Sequence, residues 1–155
     1  ALVSPQALAP LLAELRALAP AYDDVLLDLP AGIDAVVRRL LATADSALVL
    51  ATDEPTAITD AYALIKVSRA ETPGFAPQLV INQVASHGAG RRTYEGLAQV
   101  CERFLGLRAE LAGILRRDPR VPEAIRQQAP FLVRSPTSPA ARDLEAMARH
   151  LALAT

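Results

Sequence analysis

The sequence predicts an α/β fold in which a parallel sheet is covered by helices on both faces. Short runs that are apolar throughout alternate along the chain with longer segments in which apolar residues recur every three or four positions. The short runs lack the apolar–polar alternation of a strand that has one face in water. Strands that are buried on both faces and separated by helices are typical of parallel sheets.

The first half of the chain predicts three helices and two strands. Leucines at a spacing of three or four residues mark the first segment as an amphipathic helix. Each strand is a short apolar run with turn residues at its ends. In chain order, the predicted elements are a helix over 5–19, a strand over 24–28, a helix over 34–44, a strand over 47–52 and a helix over 56–71 that Thr56 is expected to cap.

The second half continues the same alternation. Gly106 follows a periodic segment and is a suitable residue for the end of a helix. Ser138 and Pro139 are typical of the N-cap and first position of another helix. The predicted elements are a strand over 78–84, a helix over 93–106, a strand over 110–115, a short helix over 122–128, a short edge segment over 130–133 and a helix over 138–154.

Length and composition predict a single domain over residues 1–155. The chain is 52% hydrophobic but only 4% aromatic, so its core must consist of Ala, Leu, Val and Ile. Its one cysteine, Cys101, excludes an internal disulfide and is expected in the core, and a reducing cytoplasm is the default location. Residues 101–155 carry nine basic and six acidic groups. That mild positive charge is typical of a solvated helical surface, with contact to an anion as the alternative.

Residues 22–34, YDDVLLDLPAGID, contain the first candidate site. Asp28 ends the predicted strand and Gly32 follows in a turn, and parallel sheets hold ligands after the carboxyl ends of their strands. A carboxylate at that place can hold Mg²⁺ directly or through water, and a glycine lets a backbone N–H approach a phosphate. A structural role, in which Asp28 only caps the turn, is the alternative.

Two complete phosphate-handling architectures do not fit the chain. A phosphorelay receiver needs an acidic pair after its first strand and a lysine after a late strand, but only 27 residues precede Asp28 and the single lysine, Lys66, lies within a predicted helix. A complete P-loop needs the pattern G-x-x-x-x-G-K-[ST], and no glycine lies near Lys66. The chain therefore contains no P-loop.

Weaker candidates follow the third predicted strand. Asn82 lies near the end of that strand, where its amide could read the edge of a base or bond the adjacent loop. Residues 87–92, HGAGRR, could cradle a phosphate with Arg91 and Arg92 or form a flexible connection. Neither His87 nor His150 has a partner that the sequence makes visible, and both are expected to be exposed.

Four stretches resemble the MinD/ParA family of deviant P-loop ATPases, and within it the flagellar-number regulators of the FlhG (FleN) type. Order and spacing agree over about residues 20–153, and the second stretch is the most specific. The stretches are YDDVLLDLPAGID, ALVLATDEPTAITDAYALIKV, LVINQV and GILRRDPRVPEAIRQQAPFLVRSPTSPAARDLEAMA. The resemblance implies a partial SIMIBI-type P-loop NTPase fold that lacks the P-loop strand.

The resemblance also implies roles for individual residues. Asp28, Pro30 and Gly32 would belong to the Walker B and switch II segment, with Asp28 organising Mg²⁺, mainly through water, and Gly32 facing the γ-phosphate of ATP. Asn82 matches an asparagine that contacts adenine. The remaining three positions would lie near the dimer interface and couple nucleotide state to dimerisation; they are Glu54, Thr56 and Asp60.

At the level of the whole protein, the resemblance implies an ATPase that dimerises, binds a partner protein and associates with the inner membrane from the cytoplasm. We expect no nucleic acid partner. This chain alone is expected to bind neither ATP nor Mg²⁺ and to be inactive, because the P-loop is absent. Membrane association would need a segment outside the chain, since no basic amphipathic extension follows LALAT at its end.

Two departures from the family pattern leave an alternative open. The adenine-side turn, usually G-x-I-P-x-D, reads GILRRD, with Arg116 in place of the proline. Loss of the P-loop strand would leave buried N–H and C=O groups unpaired, at about 1–3 kcal/mol each. We therefore expect the strands to close the gap or to pair with a second copy. The alternative function is a non-enzymatic interaction module of the same fold.

Overall fold

The computed structural model describes residues 5–152. Contacts between Cα atoms divide these residues into two compact units, one ending at Ala44 and the other beginning at Asp45. Within the described residues, the first unit is helical and the second holds the strands together with further helices. The single domain over residues 1–155 stays a prediction.

The first unit contains the two helices that the sequence predicts for it. Helix α1 spans Pro5–Leu18 and is followed by a short 3-10 turn, and helix α2 spans Ala35–Leu41. Asp34 is the N-cap of α2, because its Oδ1 accepts hydrogen bonds from the N–H groups of Val36 at 2.8 Å and Val37 at 3.0 Å. The apolar faces of these helices are buried at Leu8, Val37, Leu40 and Leu41.

The predicted strand over 24–28 is wrong. These residues form no strand, and Leu26 is 93% exposed. A segment that joins no sheet gains no ladder hydrogen bonds, so an apolar composition does not by itself make it a strand. The apolar run therefore does not place Asp28 at the carboxyl end of a buried strand.

The second unit contains a parallel sheet and its helices. The strands lie side by side in the order β1, β2, β3, and every pairing is parallel. The α/β fold and the parallel sheet predicted from the sequence are thereby confirmed. The elements are β1 (Leu48–Ala51), α3 (Pro55–Glu71), β2 (Gln78–Val84), α4 (His87–Leu105), β3 (Glu110–Arg116), α5 (Arg120–Arg126), α6 (Phe131–Arg134) and α7 (Pro139–Ala152).

Several predicted boundaries need correction. Helix α3 begins at Pro55 with Glu54 at the N-cap, so Thr56 lies inside the first turn and does not cap it. The segment predicted as an edge over 130–133 is the single-turn helix α6. Gly106 ends α4 with φ 61°, as predicted for a glycine in the left-handed region. The last two residues of the predicted 138–154 helix lie outside the described residues.

Helices cover both faces of the sheet, and alternate residues of β2 show this directly. Leu79 and Ile81 pack into one cluster with side chains of α3 and α4, including Ile65 and Leu97. Val80 points to the opposite face and packs into a second cluster. The partly buried side chains of that cluster come from α7; they are Leu144, Met147 and Leu151. Cys101 is fully buried in the first cluster, as predicted.

Helix α4 approaches the sheet most closely at Gly90. A Cβ atom at Gly90 would lie 2.4 Å from Cγ2 of Ile114 and 3.2 Å from Cγ2 of Val84. Both neighbours are side chains of packed strands, so the contact can be relieved only by shifting the helix or the strands. Glycine at this position thus lets the first turns of α4 lie against β2 and β3.

Replacing Gly90 with alanine is expected to lower the free energy of unfolding by about 1–3 kcal/mol, because the added methyl group overpacks this contact. Chemical denaturation measured by circular dichroism checks this. The matched control is Gly96→Ala on the same helix, where a Cβ atom would meet nothing within 4 Å. That change should stabilise the protein by about 0.5–1 kcal/mol through helix propensity. Equal effects of the two changes would contradict the close approach.

Candidate functional site at the carboxyl edge of the sheet

The carboxyl ends of the three strands lie at one edge of the sheet in the second unit. Ala51 of β1 pairs with Ile81 of β2, which pairs with Ile114 of β3. The loops that follow these residues are therefore neighbours. They bring the backbone around Glu54, Asn82 and Arg116 to the same edge, which is where parallel sheets bind ligands.

Asn82 stands where β2 leaves regular pairing with β3. The register between the two strands shifts between Ile81 and Val84, and Gln83 has φ 57°, which is uncommon for a residue other than glycine. Oδ1 of the half-buried Asn82 accepts a hydrogen bond from the Gln83 N–H at 2.8 Å. The amide thus bonds the loop through its oxygen, and its NH₂ group donates to no other described residue.

A buried carboxylate on α7 holds the end of β3 and the start of α4. The side chain of Asp143 is 4% exposed. It accepts three hydrogen bonds from Arg116, from the backbone N–H at 3.0 Å, from Nε at 2.9 Å and from Nη2 at 2.8 Å. His87 Nε2 lies 2.9 Å from Oδ1, the oxygen that also accepts from Nη2 of Arg116. The structure thus gives His87 a partner that the sequence does not make visible, and the side chain of His87 is 57% exposed, as predicted.

A second buried carboxylate fixes the turn after β3. Oδ1 of Asp118 accepts from the Arg120 N–H at 3.0 Å, and Oδ2 lies 3.5 Å from the Ala140 N–H. Ser138 caps α7, as predicted, because its Oγ accepts from the Ala141 N–H at 3.2 Å. The loop after β3 and the first turn of α7 are therefore joined through Asp118.

Hydrogen bonding keeps both carboxylates charged. Burial would raise the pKa of Asp143, but the bonds from Arg116 and His87 outweigh it and lower that pKa below its usual value. The pKa of Asp118 is lowered chiefly by the backbone N–H of Arg120, against the opposing effect of burial. The pKa of Arg116 is raised, mainly by its hydrogen bond to Asp143. The edge beyond β3 is thus built from ionised groups.

These lowered pKa values predict that the protein loses stability in acid. As the pH falls, the unfolded chain takes up a proton at Asp143 before the folded chain does. The stabilisation is present above the unfolded pKa of about 3.9 and is lost as the pH falls through the lower folded pKa. Denaturation curves between about pH 6 and pH 2 should show a smaller acid loss in Asp143→Asn, which should also be about 1–3 kcal/mol less stable near pH 7.

Arg149→Gln is the control for this measurement, because Arg149 is an exposed residue of the same helix. It should retain the acid profile of the unmodified protein. An unchanged acid profile in Asp143→Asn would show that Asp143 does not carry the predicted linkage.

The other predicted site residues are divided between the two units of the chain. Glu54, Thr56 and Asp60 are exposed at the beginning of α3, in the second unit. Asp28, Pro30 and Gly32 belong to the first unit, and all three are exposed. No group of three or more His, Cys, Asp or Glu side chains in the described part of the chain is arranged to hold a metal ion.

The residues around Asp28 fit part of a magnesium–phosphate site. The carboxylate of Asp28 makes no hydrogen bond to another described residue, so its oxygens are available to a cation or to water. Gly32 has φ 124°, a conformation that side chains rarely allow, and a Cβ atom there would meet nothing within 4 Å. The backbone at Gly32 is thus open to a ligand, but the sequence supplies no P-loop to cradle its phosphates.

Residues 87–92 form neither of the two structures considered for them. They are the first turns of α4, and Ser86 is the N-cap, with its Oγ accepting from the Ala89 N–H at 3.2 Å. Arg91 extends over the ring of Tyr94, 5.7 Å from its centroid.

Two residues at this edge, Asp143 and Asp118, were missed in the sequence analysis. A signal existed for Asp143, because it lies three residues after Ala140 and four before Met147, on the apolar face of α7. A buried carboxylate on an apolar face requires a polar partner.

Comparison with known proteins identifies the family. A family model described as cellulose biosynthesis protein BcsQ matches residues 4–151 of the chain. The chain belongs to this family. The antiactivator FleN of Pseudomonas aeruginosa is similar to this chain. The two sequences are 32% identical over 127 residues, which make up 82% of the chain and 45% of FleN. The resemblance to the MinD/ParA family, and within it to FleN, that the sequence analysis stated is thereby confirmed.

A second relative and a solved structure extend the comparison. The flagellum site-determining protein YlxH of Helicobacter pylori is 34% identical over 116 residues, covering 70% of the chain and 38% of YlxH. The chain thus spans less than half the length of these two curated relatives. The septum site-determining protein MinD from Pyrococcus horikoshii, solved with Mg-ADP, matches with a TM-score of 0.71 and 18% identity over 93% of the chain and 56% of MinD. That likeness confirms the fold. Separately, none of the helices in the described residues is long and apolar enough to span a membrane.

Proposed function

We propose that the chain is the C-terminal part of a MinD/ParA-like ATPase that regulates the number or placement of flagella through ATP-dependent dimerisation. The observation that carries this proposal is the sheet edge at which the loops of Glu54 and Asn82 are neighbours, in a chain related to FleN and to the flagellum site-determining protein YlxH. In this proposal ATP and Mg²⁺ are ligands of the full-length protein.

Each candidate residue has a local feature that suits its role. Asp28 offers an unengaged carboxylate for Mg²⁺ or its water, and the open backbone at Gly32 suits a phosphate, with Pro30 shaping the turn between them. Asn82 has an NH₂ group that can donate to a ring nitrogen of adenine. Magnesium bound in this way would neutralise phosphate charge, and the related MinD structure with Mg-ADP supports that choice of ligand.

The start of α3 is proposed as part of the dimer interface. Glu54, Thr56 and Asp60 are exposed there, beside the carboxyl end of β1. β1 is also one of the two edge strands of the described sheet, and Leu50 is 58% exposed. An open, apolar edge invites a further strand, so a homodimer or a strand-sharing oligomer is consistent with this surface. The proposal also includes a cytoplasmic location, peripheral to the inner membrane, for the full-length protein.

A non-enzymatic interaction module is the second candidate function. Arg116 replaces the proline of the family turn, and its side chain is held by Asp143 instead of being free for a ligand. The description of the matched family favours cellulose biosynthesis as a process for such a module. Deleting the gene and scoring both flagellar number and cellulose production would separate the two processes. Altered flagella with normal cellulose support the first proposal, and the reverse supports the second.

The coding sequence upstream tests the ATPase proposal most directly. An in-frame segment resembling KGGxGKT within roughly one hundred preceding codons is expected if the chain is part of such an enzyme. A stop codon there would favour the interaction module. Calorimetry on the 155-residue chain adds an independent test. Without a P-loop, the chain should show no tight binding of Mg·ATP, and submicromolar affinity would overturn this part of the proposal.

A further inference from the structure

A cavity of about 460 Å³ lies between α5, the end of α6 with the segment that follows it, and the first turn of α7. Three arginines line it, one from each of these helices: Arg120, Arg134 and Arg142. The remaining lining residues are 135–139. Ser138 among them caps α7, and the hydroxyl groups of Ser135 and Thr137 take no part in that cap. All of these residues belong to the second unit.

The cavity carries a surplus of positive charge. No acidic residue lines it. Arg120 reaches Asp118 at 3.6 Å and Arg134 reaches Glu123 at 3.5 Å, which are long distances beside the 2.7–2.9 Å typical of charge-assisted hydrogen bonds. Arg142 is exposed and forms no ion pair with any other described residue. The guanidinium groups therefore keep donors free for a ligand.

The arginines, and not the backbone of α7, provide the donors. The N–H groups of Ala140 and Ala141 are directed to Asp118 and to Ser138 inside the protein. The first turn of α7 still adds the positive end of its helix dipole to the field in the cavity. Guanidinium forks and nearby hydroxyls remain as the groups that can contact a bound anion.

We propose that the cavity lined by Arg120, Arg134 and Arg142 binds the phosphate group of a small anionic ligand. Arginine forks match phosphate oxygens two at a time, and three of them suit a tetrahedral ion with several charged oxygens better than a single planar carboxylate. The cavity volume lies within the range of pockets that hold small molecules. None of the residues assigned to ATP above lines this cavity, so the proposal does not depend on those assignments.

Titration calorimetry of the 155-residue chain with sodium pyrophosphate at constant ionic strength tests the proposal. Arg142→Gln should weaken binding at least about 10-fold, because it removes a free guanidinium without breaking an ion pair among the described residues. The matched control is Arg149→Gln on the same helix, which lies outside the cavity and should change affinity less than about 2-fold. Citrate should bind at least about 10-fold more weakly than pyrophosphate.

Vesicles of phosphatidylcholine with phosphatidic acid distinguish a soluble ligand from a lipid headgroup. If pyrophosphate binds and its binding depends on Arg142, the ligand of the cavity is a soluble phosphate compound. If the protein floats with the vesicles in a way that depends on Arg142 and does not bind pyrophosphate, the ligand of the cavity is a phospholipid headgroup. Equal weakening by Arg142→Gln and Arg149→Gln would overturn the proposal, because it would show only general charge attraction. Equal affinity for citrate, or binding of neither pyrophosphate nor vesicles, would overturn it as well.

Discussion

Replacing Asp28 with asparagine in the full-length protein is expected to lower kcat for ATP hydrolysis at least about 100-fold. The proposed role of Asp28 is to hold Mg²⁺ or its water, and asparagine keeps the size of the side chain but removes its negative charge. Losing one electrostatic contact to the reacting centre typically costs 10²–10³ in rate. A coupled phosphate-release assay at saturating ATP measures kcat, and the KM for ATP should change much less.

Asp23→Asn is the matched control, because Asp23 belongs to the same exposed segment and the substitution removes the same charge. It should leave kcat within about 2-fold of the value for the unmodified full-length protein. A similar loss in both variants would mean that the segment responds to net charge and that Asp28 has no special role. Far-ultraviolet circular dichroism of both variants should match, since Asp28 is exposed and makes no bond that folding needs.

The parts of the fold that depend on local pattern could be predicted from the sequence. The apolar runs around Val49, Leu79 and Ala112 give the three parallel strands, with ends that differ by at most one residue from the prediction. Gly106 and Ser138 end and begin helices where their chemistry suggests. In these cases the residue itself supplies the reason, either a positive φ or a hydroxyl that accepts from the first turn.

The parts that depend on a partner could not be predicted. The run over 24–28 has the composition of a strand, but pairing decides whether a strand forms, and composition does not reveal pairing. Arg116 stood out in the sequence only as a departure from a family pattern. Its bond to Asp143 joins residues 27 positions apart, which no local pattern encodes. The cavity lined by Arg120, Arg134 and Arg142 could not be predicted either, because it forms only when residues that are not neighbours in sequence come together.

Asn82 supports the second large prediction, because the oxygen and the NH₂ group of its side-chain amide have different surroundings. The oxygen accepts from the Gln83 N–H, which leaves the NH₂ group as the free donor at the sheet edge. If that donor contacts adenine, Asn82→Asp should lower the affinity of the full-length protein for ATP by about 10-fold to 100-fold. Aspartate keeps the acceptor for Gln83, but it replaces the donor with a charged oxygen that faces a ring nitrogen. Calorimetry with a non-hydrolysable ATP analogue measures the change.

Gln83→Glu separates this recognition from simple charge repulsion. It adds the same negative charge one residue along the chain, at an exposed side chain that makes no bond to the Asn82 amide. Repulsion of the triphosphate would weaken binding in both variants, whereas loss of the donor weakens it only in Asn82→Asp. Affinity for inorganic triphosphate should also be the same in Asn82→Asp and in Gln83→Glu. Equal losses of ATP affinity in the two variants would show that Asn82 does not read the base.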